Sequence, residues 1–387
     1  MKYQASFFNK KIKLSSFIIV CLVIAVAAAA CTYMLIMRQF GSKEAFLDAQ
    51  RYVEIEKIIE DNYIGDTDPE QMYNFAAAAM VRSLDDKWSY YMDPEEYEAY
   101  KLSSANEYAG IGVSVRLDDE GKVEVLSVSD GTPAATAGIS AGQYIVSIDG
   151  QTTDGMSITD VQTLIRSLLN KNFDMVLADK KGNQTTVTLN CEVIYTSPVS
   201  HKLLDGNVGY VKINNFEAGS GDEAIKSIEY LVSIGANSIV FDLRNNPGGL
   251  LSELIKVLDY ILPEGEIFVS VDKDGNETVT NSDKMCLKYK MAVLVNENTY
   301  SAAEFFAAAL QEYNWATIVG DRTTGKSRSQ ITIEMADGGA IHLSTRQYLT
   351  PDRVDLVEAG GITPDVEVSN TETGKDAQLE SAVKALG

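Results

Sequence analysis

Histidine is nearly absent from these 387 residues. Only His201 and His342 occur, and neither stands in a motif that pairs it with a nucleophile, so histidine-based acyl-transfer triads have no support. Cysteine is sparse too, at four residues, and no His or Cys cluster shows metal-ligand spacing, which excludes a metal site of the usual kinds. Positive charge is short as well. Lys and Arg number 33 against 55 Asp and Glu, a formal net charge of -22 that would repel nucleic-acid phosphates. No dinucleotide fingerprint follows a strand and no internal repeat is visible; the carboxylates are dispersed rather than paired, so glycosidase chemistry is not indicated. No cofactor is expected.

Of the four cysteines, Cys21 and Cys31 fall in an apolar run. Cys191 and Cys286 could pair in an oxidising compartment, but their isolated apolar settings favour two buried free thiols.

What the chain does have starts at its N-terminus. Lys10, Lys11 and Lys13 precede residues 17–37, a run of 21 residues without a charge. As a helix rising 1.5 Å per residue, such a run crosses a hydrocarbon core of roughly 30 Å. The basic residues ahead of it predict a single-pass cell-membrane anchor, N-terminus cytoplasmic and the bulk of the chain outside. A cleaved signal peptide is the alternative, since Ala28, Ala29 and Ala30 resemble a small-residue cleavage site. The length of the run favours a retained anchor. A lipoprotein signal ending at Cys31 is disfavoured, because Ala28 stands where a leucine-like residue is expected.

Residues 44–64 then show apolar side chains at helical spacing, and two more helix starts follow at Asp68-Pro69-Glu70 and Asp93-Pro94-Glu95, each an N-cap before a proline. Residues 85–91, with Trp88, Tyr90 and Tyr91, join them. This helical platform, residues 44–105, packs either on the rest of the chain or on a second subunit; a homo-oligomer is left open. Residues 106–194 change to short β-branched strands with glycine-marked turns, and residues 195–370 alternate strands with helices. A polar stretch ends in a helix at 377–386. The fold class is α+β or α/β, multidomain.

The chemistry concentrates in residues 291–330. A short apolar strand at 291–295 leads through a polar turn into an apolar helix from Ala302, so Ser301 stands at a helix start, where free N–H groups and the helix dipole point at what it would attack. Alone, such a serine reads as an N-cap. It is not alone: Asn296, Ser301-Ala302-Ala303-Glu304, Gly325-Lys326 and Gln330 resemble the active-site stretch of the carboxyl-terminal processing peptidases, or tail-specific proteases. That resemblance implies a Ser301 nucleophile, a Lys326 base 25 residues on (301 + 25 = 326) and Gln330 holding the lysine by a hydrogen bond. Thr299, Tyr300 and Ala303 depart from the family's serine-rich run, and Ser327 replaces a small glycine, without removing a group the mechanism needs.

The run Asp242-Leu243-Arg244-Asn245-Asn246-Pro247-Gly248-Gly249 resembles the same family; as a phosphate loop it lacks the Walker lysine. By position and resemblance, the N–H groups of Ala302 and Gly248 are the oxyanion-hole candidates, with Gly249 as the fallback. Gly110-Ile111-Gly112-Val113, Gly131-Thr132-Pro133 and Asp149-Gly150 resemble a PDZ domain, whose Gly110–Val113 loop would hold a substrate's free C-terminal carboxylate while the peptide adds as a strand. Ile158, Val161, Ile165 and Leu168 stripe the helix lining that groove, and Arg166, its one cation, is the gating candidate.

The resemblance implies a membrane-anchored serine endopeptidase acting on proteins or peptides with free apolar C-termini. Its protease body would be crotonase- or ClpP-like. The expected domains are 1–43 (tail and anchor), 44–105 (helices), 106–194 (PDZ), 195–370 (protease core) and 371–387 (C-terminal helix). A catalytically silent PDZ scaffold that binds tails is the alternative, against which the intact serine, lysine and glutamine argue. Free lysine titrates near 10.4, so a lysine base needs its pKa brought to about 7–8, by burial against the 302–310 helix with Asp321 and Glu304 pointing elsewhere.

Overall fold

The computed structural model describes residues 14–369 and 374–387; Lys10, Lys11 and Lys13 and residues 370–373 lie outside them. The described residues divide into two compact units, one ending at Met80 and the other beginning at Val81.

The first unit is helical. Leu14–Phe40 is one helix of 27 residues, about 40 Å long, and no part of its apolar stretch is buried. Lys43–Asn62 follows, its start capped by the Ser42 hydroxyl, which accepts from Ala45 N–H at 3.0 Å. None of its side chains is buried. The helix Pro69–Arg82 begins as its sequence predicts, with the Asp68 carboxylate accepting from Glu70 and Gln71 N–H.

In the second unit the expected cap at Asp93 is a full capping box with Glu96, opening Pro94–Ser104. The segment expected only to join helices does more. Tyr90–Met92 is a strand, paired antiparallel with Ala340–Leu349 in a sheet that also holds Gly265–Val271, Glu277–Ser282 and Arg328–Glu334. Three residues are too few to show a period, so the local pattern could not announce this pairing.

The glycine-rich region forms an antiparallel sheet ordered Val113–Leu117, Val123–Val128, Tyr144–Ile148, Asn172–Ala178, Gln184–Asn190, with Gln151–Thr152 beside Tyr144–Ile148. Val125, Ile148 and Met175 from the strands and Val161 from helix Ile158–Ser167 fill its core. A separate two-stranded ribbon, Glu107–Gly110 with Glu192–Tyr195, carries the chain in and out.

The remaining body is built on a six-stranded sheet ordered Val199–Leu204, Val208–Ile213, Ser238–Asp242, Lys290–Val295, Ala316–Gly320, Val366–Glu367, all parallel after the first pair. Parallel strands are covered on both faces, and the side-chain alternation shows how. Phe241, Val293 and Val295 face Ser220–Ser233, Leu251–Ile261 and Ala302–Glu312, whereas Val240, Ala292 and Leu294 face Ala377–Ala385. All four cysteines are free; Cys191 is buried as expected, while Cys286 is partly exposed.

Candidate active site

Ser301 sits between strand Lys290–Val295 and helix Ala302–Glu312 with φ 59° and ψ −129°. A side chain in that region costs about 1–3 kcal/mol and is held there only by its surroundings. The surroundings are Glu304, fully buried, whose carboxylate accepts from Ser301 N–H (2.9 Å), Thr323 Oγ1 (2.5 Å), Gly325 N–H (2.7 Å) and Lys326 N–H (2.8 Å). One carboxylate thus ties the serine's turn to the lysine's loop. Burial pushes its pKa up, and these four donors work against that.

Ser301, Lys326 and Gln330 line one cavity of about 390 Å³, together with Gly248, Gly249 and Ala302. The Lys326 ammonium lies 4.3 Å from the Trp88 ring centroid and 5.9 Å from that of Tyr300. Burial lowers its pKa to about 8, against the opposing pull of Asp86 and Glu304. The expectation that nearby acids point elsewhere therefore holds for Asp321, which bonds Ser369 and Gln378, and fails for Glu304. Desolvation still wins, because the rings of Trp88 and Tyr300 exclude water from the amine.

Gln330 is on a β-bulge of strand Arg328–Glu334. Its amide nitrogen donates to the Arg328 carbonyl (3.0 Å) and the Ser344 hydroxyl (2.9 Å), and among the described residues no hydrogen bond joins it to Lys326. It reaches the lysine's surroundings indirectly, since Ser344 N–H donates to Ser89 Oγ, which in turn donates to Asp86 Oδ2 at 2.6 Å.

Gly248 has φ +91°, and a Cβ there would lie 2.9 Å from both Ala302 N and Ser301 Cβ, so only glycine lets this loop come up to the serine. Its N–H, however, donates to the buried Asn246 Oδ1 at 2.8 Å. The N–H groups of Ala302 and Gly249 are the ones without a partner among the described residues, so the fallback glycine, not Gly248, is left available in this conformation.

Several residues of the cavity were not anticipated. Trp88 and Tyr90 come from the supposed joining segment, where a cluster of aromatics was the available signal. His342 bonds Thr332 Oγ1 at 2.9 Å, and burial together with Lys326 lowers its pKa to about 4, leaving it neutral. Glu217 carried no signal at all.

In the other sheet, Gly110, Ile111, Gly112 and Val113 line a narrow groove of about 80 Å³ with Val161 and Arg166. Strand Val113–Leu117 is at the sheet edge, so its outer N–H and C=O groups face this groove unpaired by another strand. Gly112 has φ +83° and a Cβ there would be 2.3 Å from Thr132. Arg166 is exposed and makes no ion pair among the described residues. Leu168 is buried in the domain core.

Residues 207–368 match the model for "Peptidase family S41", and residues 124–179 that for "PDZ domain". A carboxyl-terminal-processing protease of Picosynechococcus is 33% identical over 324 residues, covering 80% of this chain and 78% of its own. The carboxy-terminal processing protease CtpA of Bacillus subtilis is 29% identical over 378 residues, 96% of this chain and 80% of that one. Among solved structures, a photosystem II D1 C-terminal processing protease aligns with TM-score 0.50 at 26% identity, covering 88% of this chain and 92% of that chain. With a mixed α/β fold of several domains, a PDZ domain and an S41 protease body, this chain belongs to the carboxyl-terminal processing serine proteases.

Proposed function

We propose that the chain cleaves protein or peptide tails with Ser301 as nucleophile and Lys326 as base. The observation that carries this is the buried Lys326 amine, its pKa lowered to about 8, in the same cavity as a strained serine at a helix start. In this reading Ser301 Oγ attacks the scissile carbonyl carbon while its proton passes to neutral Lys326 Nζ. The N–H groups of Ala302 and Gly249 receive the oxyanion. Collapse breaks the C–N bond, and the lysine's proton goes to the leaving amine. Water then attacks the acyl-serine, Lys326 again taking the proton. Gln330 is a positioning residue, acting through Ser344, Ser89 and Asp86 rather than by direct contact.

The test is cleavage of an unfolded protein by the purified full chain, compared with Ser301→Ala and Lys326→Ala. Both variants should fall to background while keeping the wild-type melting curve. Retained cleavage in either removes that residue from the dyad.

Substrates are taken by their free C-termini in the groove of Gly110–Val113, and Arg166 couples tail binding to activity. The protease body follows the crotonase and ClpP pattern, a reading supported by its alternating strands and helices. Membrane anchoring through residues 17–37, with the catalytic part outside the cytoplasm, is supported by the helix Leu14–Phe40, long and apolar enough to cross a bilayer. Alkaline carbonate should leave the full chain in the membrane pellet; release into the supernatant would refute the anchor.

A further inference from the structure

Glu217 lines the cavity that holds Ser301, yet no step of the proposed chemistry uses it. Its backbone position is fixed. Phe216 N–H donates to the Gly248 carbonyl and Leu250 N–H donates to the Phe216 carbonyl, both at 2.7 Å, so residue 217 emerges directly beside the Gly248–Gly249 loop. Its own N–H is held by Asn215 Oδ1 at 2.9 Å. The side chain's Oε2 is buried and has no hydrogen-bond partner, and no Lys or Arg among the described residues pairs with the carboxylate. Burial alone pushes its pKa up to about 7, because nothing nearby favours the charged form.

Native proteins rarely leave a buried acceptor empty, and the residue that carries this one lines a substrate cleft, where a bound substrate can pair with its carboxylate. Tyr90 and Tyr100 line the same cavity, with Tyr90 close enough to Glu217 for the carboxylate to disfavour its ionisation. A carboxylate beside aromatic faces suits a cation, which gains a charge-assisted hydrogen bond from the one and a cation–π contact from the others. An apolar side chain would leave the carboxylate unpaired, and an acidic one would be repelled.

We infer that Glu217 is a specificity-determining residue, accepting a lysine or arginine side chain of the substrate next to the scissile bond. This rests on the proposed peptidase reading of the same cavity and adds to it a preference that Ser301 and Lys326 do not supply. The cation would pair with the Glu217 carboxylate in the Michaelis complex and be lost on product release.

The experiment begins with cleavage-site profiling of the full chain on an unfolded proteome digest. Paired peptides are then made at the enriched position, carrying lysine or its uncharged isostere norleucine. The wild type should favour the lysine peptide in kcat/KM by about 10- to 100-fold, the size of a hydrogen bond to a charged group. In Glu217→Gln that ratio should fall to about one, and in Glu217→Lys it should invert in favour of a glutamate peptide. Profiles with no basic enrichment, or a wild-type ratio that Glu217→Gln does not move, overturn the inference alone. Equal loss of both peptides in Glu217→Gln also overturns it, assigning the carboxylate to the chemistry instead. Failure of the wild type to cleave any peptide, matching Ser301→Ala, overturns the peptidase reading and this inference with it.

Discussion

At the scale of single residues, the protonation of the proposed base, Lys326, is set by a contest around one amine. Burial of Lys326 lowers its pKa; Asp86 and then Glu304 raise it, and Lys87 lowers it further, with the neutral His342 also facing it. The Trp88 face adds about 0.5–2 kcal/mol in favour of the ammonium. With a folded pKa of about 8, the neutral form should rise from about a tenth at pH 7 to about nine-tenths at pH 9, and cleavage should rise with it. Asp86→Asn removes the stronger of the two opposing carboxylates, so its pH–rate midpoint should move to lower pH. An unmoved midpoint, or activity in Lys326→Arg, which stays charged, would falsify the assignment of Lys326 as base. The strain at Ser301 gives a stability counterpart. Ser301→Gly should melt at a higher temperature than Ser301→Ala, because glycine accepts φ 59° without the penalty, although both should be inactive. Equal melting would show that the turn is relaxed. Ser301 and Lys326 were legible because their 25-residue spacing is a linear signal. Glu304 was not, since a glutamate three residues into a helix reads as a capping residue; its hold on Gly325 and Lys326 exists only once the loop has folded back.

At the scale of elements, the central strands were readable because a parallel strand covered on both faces holds an unbroken apolar run, as residues 239–241 and 291–295 do. Tyr90–Met92 was not, because what makes it a strand is its partner Ala340–Leu349, some 250 residues away (340 − 90 = 250). The place of Gln330 depends likewise on a bulge in a strand pairing that no local pattern reports. The proposed peptide groove combines both kinds of information: its loop is a linear motif, while the open edge of Val113–Leu117 is a matter of strand order. A substrate with a free C-terminus should therefore be cleaved at least tenfold faster at low concentration than its amidated form, roughly the worth of one charged hydrogen bond. Arg166→Ala should narrow that gap, because its guanidinium lines the same groove. Equal rates for free and amidated substrate would exclude carboxylate recognition, and an unchanged gap in the variant would return Arg166 to the status of a solvated surface residue.

At the scale of the whole second unit, the distance from the proposed peptide groove to the Ser301 cavity is bridged by very few residues. The ribbon that carries the PDZ domain begins at Glu107, and the residue before it, Asn106, is buried with φ 57°. Asn106 Nδ2 donates to the Ala218 carbonyl at 2.8 Å, Asn215 Nδ2 donates to Asn106 Oδ1 at 2.8 Å, and Ala218 N–H donates to the Ser104 carbonyl at 3.0 Å. The loop so gripped, residues 215–218, is the one whose Phe216 brackets Gly248 and Leu250 by backbone hydrogen bonds. A shift of the ribbon on tail binding thus has a short hydrogen-bonded route to the glycines beside Ser301, where Gly248 N–H is now turned to Asn246. Spatial succession alone does not demonstrate coupling; an energetic test does. Asn106→Gly keeps the positive φ and deletes both side-chain bonds, at an expected loss of about 1–3 kcal/mol of stability. In that variant the advantage of free over amidated tails should shrink through kcat, while direct binding of a tail peptide to the groove, measured by titration, stays at the wild-type Kd. If the rate advantage persists undiminished, Asn106 serves only to anchor the ribbon and the two sites communicate, if at all, by another path.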